Sequence, residues 1–377
     1  MRVRGLCRGV VTLALAGGLL ALPGEQKKKN KEDETQTLQL PRELPASVAA
    51  PTHRLVFRVT PLSAKGLLSA QVRDGLHALL RQANGETVLK IRAFVAGSGD
   101  LRRVRDLVSE VFTERKQPLP ALSLVRAGGL PLEGAQVVLE AISAGRKEVD
   151  PFGLAWISAQ VETSDNPLDP AAPLAARSIA RLGKVLSAAG ATSADVLRVT
   201  CFLSRLEGVD GLRASLAAQF SHAATDFVQT QRAPVEAIAA CEAVARLSAD
   251  PGMPLRPLNP TGLPAEAGQS QMALVNPGEL ILTGTQASFG YQEADSRLAF
   301  ERLLKELQQA GASAGDVAFV HYYPLSGRIA QQVRQLRTAF LNADPPPAGS
   351  LATFEGLPSM DAGFALEAVA VKPAASR

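Results

Sequence analysis

Three apolar segments each carry one glutamate followed by alanine: VVLEAIS (137–143), ACEAVA (240–245) and FALEAVAV (364–371). Burying a carboxylate without a partner is costly. Glu140, Glu242 and Glu367 are therefore the first candidates for chemistry, and acid–base or water-positioning work is what such a group offers. An inherited but idle position is the alternative for each. They follow Phe112, Phe220 and Phe340 by 28, 22 and 27 residues, so the spacing nearly repeats. Gln160 and Gln286 close two other apolar runs, LAWISAQ and LILTGTQ, and read first as hydrogen-bonding groups at a strand end. His53, His77, His222 and His321 show no HxxxH or HExxH spacing, and Cys7, Cys201 and Cys241 form no CxxC. A helical zinc site is not expected, and no cofactor is implied.

The elements that must position these residues recur three times. Residues 76–112, 182–220 and 303–340 each run amphipathic helix, small-residue turn, short apolar strand, loop and second helix ending in Phe. Phe300, Leu303, Leu304 and Leu307 share one helix face, as do Val104, Leu107, Val108 and Val111. Gly190 and Gly311 sit where a helix end wants a left-handed residue. Val196–Leu203 and Val317–Tyr323 read as the strands that follow. The pattern predicts an α+β fold of three units, each a mixed sheet with two helices on one face. Copies are expected over 51–146, 150–248 and 269–373, with a Pro- and Gly-rich linker over 249–268.

The chain has 377 residues, 46% hydrophobic and 20% charged, which excludes wholesale disorder. Its net charge of +4 includes Arg2, Arg4 and Arg8, so the body is nearly neutral. Nucleic acid is not an expected partner. Those arginines precede an apolar run, Val10–Leu22, too short to span a bilayer. The pattern predicts a signal peptide over 1–24, a disordered tether over 25–50, and a periplasmic or secreted protein with no membrane span after cleavage.

The combination of AAGATSADVLRVTCFLS, QAGASAGDVAFVHYY, PPPAGSLATFEGLPSMDAGFALEAVAV and PLPALSLVRAGGLPLEGAQVVLEAIS resembles the RidA (YjgF) family of imine deaminases, over about residues 53–371. The resemblance implies chorismate-mutase-like units. Family members are homotrimers with sites between subunits, so three copies in one chain imply a monomeric pseudo-trimer, tethered rather than concentration-dependent. It also implies hydrolysis of 2-imino acids to 2-keto acids and ammonia, without metal or organic cofactor. In the family an arginine after a Pro-Ala step grips the substrate carboxylate, and the closing-strand glutamate stands near the water.

Carried over residue by residue, the clamp place holds Leu122 in the first copy and Gly349 in the third. The second offers Arg232, 10 residues before Glu242, against 18 in the other two copies. Arg232 and Glu242 are thus the expected catalytic pair. Glu140, Glu367, Gln160 and Gln286 are the expected substrate-binding residues. His321, Tyr322 and Tyr323 align with Thr200–Phe202 and could line a cleft or form wall. Cys201 and Cys241 fall on strands that would be neighbours; core packing is favoured over a disulfide, which export would permit. Two functions follow: an exported imine or enamine hydrolase acting on a small molecule at an inter-copy cleft, or a non-catalytic binding or scaffold pseudo-trimer that has lost its clamps.

Overall fold

The computed structural model describes residues 41–341 and 344–373. The expected leader and the tether up to residue 40 lie outside them. The first copy comprises β1 (Ser47–Pro51), β2 (Leu55–Val59), α1 (Leu68–Ala83), β3 (Thr87–Ala96), α2 (Leu101–Glu114), β4 (Ala121–Ala127) and β5 (Val137–Ala144). The second comprises β6 (Leu154–Ser164), α3 (Ala171–Ala188), β7 (Val196–Leu203), α4 (Val209–Gln219), β8 (Ala224–Gln229) and β9 (Ala237–Arg246). A short β10 (Leu255–Leu258) follows. The third copy runs β11 (Met272–Val275), β12 (Glu279–Thr283), β13 (Gln286–Ala287), α5 (Glu293–Gln309), β14 (Val317–Pro324), α6 (Gly327–Phe340), β15 (Ala348–Leu351) and β16 (Phe364–Lys372).

Helices form where apolar side chains recur every three or four residues. Val72, Leu76, Leu79 and Ala83 bury one face of α1; Phe300, Leu303 and Leu307 bury that of α5. Helices α3 and α5 run out just before Gly190 and Gly311, at φ +72° and +89°. Asp195 and Asp316 then accept from the backbone and hydroxyl of Thr192 and Ser313, closing a tight turn into the next strand.

Each copy has the same sheet centre. The middle strand (β3, β7, β14) runs antiparallel to the closing strand (β5, β9, β16) and parallel to the penultimate one (β4, β8, β15). A register shift recurs just before Lys90, Arg198 and Phe319. One face of each sheet packs under its own helices, making three separate clusters. The opposite faces meet in two clusters that draw on all three copies.

The copies also exchange strands. β1 pairs with β12 of the third copy, and the turn at 52–54 then carries the chain into β2 of the first. β11 pairs with β6 of the second copy, and Asn276–Gly278 carries the chain into the third copy's sheet. Residues 47–50, expected in the tether, are thus strand, because they complete the edge of another copy's sheet. β10, inside the expected linker, extends the second copy's sheet beside β11. Cys201 and Cys241, read first as core packing, are joined by a disulfide, because the β7–β9 register sets them directly opposite, Cα atoms 4.1 Å apart. Among the described residues no helix is long and apolar enough to cross a membrane.

Candidate functional site

Strand alternation sends every second residue of β3, β7 and β14 to the shared centre. The register aligns three tiers. The first holds Lys90, Arg198 and Phe319, opposite Ile142, Val244 and Val369. The second holds Arg92, Thr200 and His321, opposite Glu140, Glu242 and Glu367. The third holds Phe94, Phe202 and Tyr323. All of these side chains are buried, the three glutamates at 1–4% exposure.

The second tier is an ion-pair layer that stitches the copies together. Arg92 Nε donates to Glu140 at 2.6 Å, and Arg92 Nη2 donates to Glu242 at 2.8 Å. Thr200 Oγ1 donates to Glu140 at 2.5 Å. Arg198 Nη2 reaches Glu242 at 3.2 Å. His321 Nε2 lies 2.9 Å from Glu242, and its Nδ1 lies 3.1 Å from Glu367. Lys90 Nζ donates to Glu367 and Ser123 at 2.6 Å and also to the Thr283 carbonyl, while Ser123 and Tyr323 hydroxyls donate to Glu367. Every glutamate therefore has a partner from another copy.

Apolar plugs close both ends of this layer. On one side Phe94, Phe202 and Phe354 pack with centroids 5.6–5.8 Å apart, and Tyr323 stands 5.6 Å from Phe354. On the other, Trp156 contacts Phe57 and Phe319, each at 5.9 Å. Burial alone would raise Glu242, but His321, Arg92 and Arg198 hold it well below the usual carboxylate range. Burial likewise opposes ionisation of Glu367, and Lys90 and His321 hold it well below that range. Burial lowers Lys90 against the pull of Glu367. Burial and Glu140 push Asp226 well above its ordinary value.

The expected Arg232–Glu242 pair is not made. Parallel pairing sets Ile91 beside Leu122, Val320 beside Gly349 and Val199 beside Thr225. Thr225, not Arg232, therefore stands at the clamp place of the second copy. Arg232 lies beyond the end of β8, exposed, with its Nε donating to the Gly128 carbonyl at 3.2 Å and its backbone N–H to Glu355. The cations that face Glu242 are Arg92, Arg198 and His321. At Gly349 no side chain fits, since a Cβ would meet the Val320 carbonyl at 2.9 Å and Gln269 Oε1 at 3.2 Å.

Of the other expected residues, Glu140 and Glu367 belong to the ion-pair layer. Gln160 is buried and donates to the Ser158 carbonyl and to Gln271 at 2.9 and 2.8 Å. Gln286 is half-buried and lines a cleft of about 380 Å³ between the first and third copies, with Leu44, Leu122, Leu124, Phe289 and Arg105. Lys90, Arg92 and Arg198 were missed by sequence reasoning. Their signal was there: TVLKIRAFVA places two cations at alternate positions and VLRVTCFL places one, each in a largely apolar strand.

The fold is one α+β unit three times over. No family model matches the sequence, and no curated protein matches it. Solved structures similar to single copies include a conserved Rid family protein from Yersinia pestis, at 20% identity over 32% of this chain and 99% of that one, TM-score 0.30. A member of the YjgF/YER057c/UK114 family from Mycobacterium tuberculosis is 21% identical over 31% of this chain and 98% of that one, TM-score 0.22. Escherichia coli TdcF with bound serine is 18% identical over 31% of this chain and 94% of that one, TM-score 0.22.

Proposed function

We propose that this chain is an exported, non-catalytic RidA-like pseudo-trimer that binds a small molecule between copies and has given up imine hydrolysis. One observation carries the reading: all three closing-strand glutamates are spent on a buried ion-pair layer, while the clamp places hold Leu122, Thr225 and Gly349. A hydrolase needs a carboxylate grip and a water beside a free acid–base group. Glutamates walled in by aromatic plugs offer neither to solvent. The cleft beside Leu122 suits a small acid with an apolar body, because Leu122, Leu124 and Phe289 supply apolar wall and Arg102 and Arg105 supply cations. Their pairing with Asp100 and Asp106 is loose, 3.7 and 3.8 Å, and leaves both guanidinium groups exposed. Export is supported by the leader pattern and by the Cys201–Cys241 bridge, which an oxidising compartment favours.

The test is a coupled assay with 2-iminobutanoate generated in situ. Loss of the imine at the buffer rate is expected for the native chain and for Glu242→Gln alike. Acceleration by the native chain that Arg232→Ala or Glu242→Gln abolishes would contradict the reading.

A further inference from the structure

The buried layer carries more positive than negative groups. Lys90 Nζ has three acceptors, Ser123, the Thr283 carbonyl and Glu367, which use all three ammonium protons. His321 has a carboxylate at each ring nitrogen, and only an imidazolium donates from both. Arg92 and Arg198 complete four cations against Glu140, Glu242 and Glu367. The further carboxyl nearby, Asp226, is pushed toward its neutral form by burial and by Glu140. One positive charge is left over where water cannot screen it, and an uncompensated buried charge is costly.

A second, independent observation lies in the same place. A cavity of about 20 Å³ touches Arg92, Trp156, Arg198 and His321, with Glu140 and Glu367 also in its wall. Three of these wall residues carry an N–H without a partner: Arg92 Nη1, Arg198 Nε and Trp156 Nε1. Arg198 and Trp156 are close, with Arg198 Cζ 5.9 Å from the Trp156 ring centre. Glu242 Oε2 is unpartnered too, but Glu242 is not part of this wall. The volume suits one guest of about the size of a water. Water would serve such donors and leave the charge. A monovalent anion does both.

We propose that this cavity holds one buried anion of halide size, bound by Arg198 and Trp156 and taken up as the chain folds. It stands apart from the cleft beside Leu122 and does not depend on whether the protein is an enzyme. Crystals of the chain refolded and grown in bromide, measured at the bromine absorption edge, test it. The expected result is an anomalous peak within hydrogen-bonding distance of Arg198 Nε and Trp156 Nε1, weakened in Trp156→Phe, which keeps the ring and removes the donor. Urea unfolding at constant ionic strength, with chloride exchanged for gluconate, gives a second readout. The folding equilibrium constant should rise about tenfold for each tenfold rise in chloride above the dissociation constant. No anomalous peak, or a folding equilibrium identical in chloride and gluconate, overturns the proposal; water would then fill the cavity and an ionised Asp226 would carry the balance.

Discussion

Glu242 shows what the closing-strand glutamates do. It faces Arg92 from the first copy, Arg198 from its own and His321 from the third. Removing one member of a buried ion-pair network strands the others, at a cost of about 3–5 kcal/mol. Glu242→Gln should therefore lower unfolding stability by that amount in urea titrations, while a surface change such as Glu207→Gln should cost under about 0.5 kcal/mol. A variant as stable as the native chain would deny the structural role. Acidity gives a second readout. Glu242 and Glu367 titrate lower in the folded chain than in the unfolded one, so their contribution is present above about pH 4 and is lost as pH falls. Asp150 runs the other way: burial, opposed by Arg246, raises it to about 6. It favours the fold when protonated and loses that contribution as pH rises to about 6. The urea midpoint should fall steeply below about pH 4 and decline above it, where Asp226, raised in the same direction, adds to Asp150; Asp150→Asn should make the decline between about pH 4 and 6 shallower. A native midpoint that climbs steadily through that range would contradict this assignment. The three glutamates were legible in the sequence, because a carboxylate in an apolar strand announces itself. Their partners were harder to see, since Lys90 and Arg198 acquire meaning only when strands far apart in the chain are brought into register.

Elements carried most of what the sequence could say. Repeated helix faces, the glycines at 190 and 311 and the Thr192 and Ser313 turns are local, and local patterns survive folding unchanged. Strand partnership is not local. Nothing in SVAAP says that β1 will lie against β12 rather than β2, and Asn276–Gly278 is a turn whether it closes a hairpin or crosses between copies. The same blindness misplaced the clamp, because Arg232 is near the expected place in sequence whereas pairing with β7 selects Thr225. The exchanged strand also makes a prediction. A chain beginning at residue 52 lacks β1 and leaves the β12 edge unpaired beside buried Leu280 and Leu282. Open apolar edges recruit other chains, so light scattering should show this truncation self-associating where the longer chain does not. A truncated chain that stays monomeric and equally stable would mean that β1 contributes little.

At the scale of the whole molecule, three copies share what none could bury alone. Each buries one sheet face under its own helices, and the other faces join in a charged layer between two apolar plugs. Exchanged strands then tie the first copy to the third and the third to the second. Such a body has no internal boundary at which to come apart. The chain's single tryptophan, Trp156, sits in the inter-copy plug against Phe57 of the first copy and Phe319 of the third. Its fluorescence reports the shared centre, and far-ultraviolet circular dichroism reports helices spread over all three copies. Urea unfolding followed by both signals on one sample is the most direct measurement. Coincident transitions with one midpoint are expected of copies that fold as one body. A tryptophan transition at lower urea than the loss of helix would show copies that separate before they unfold, and would contradict a common core.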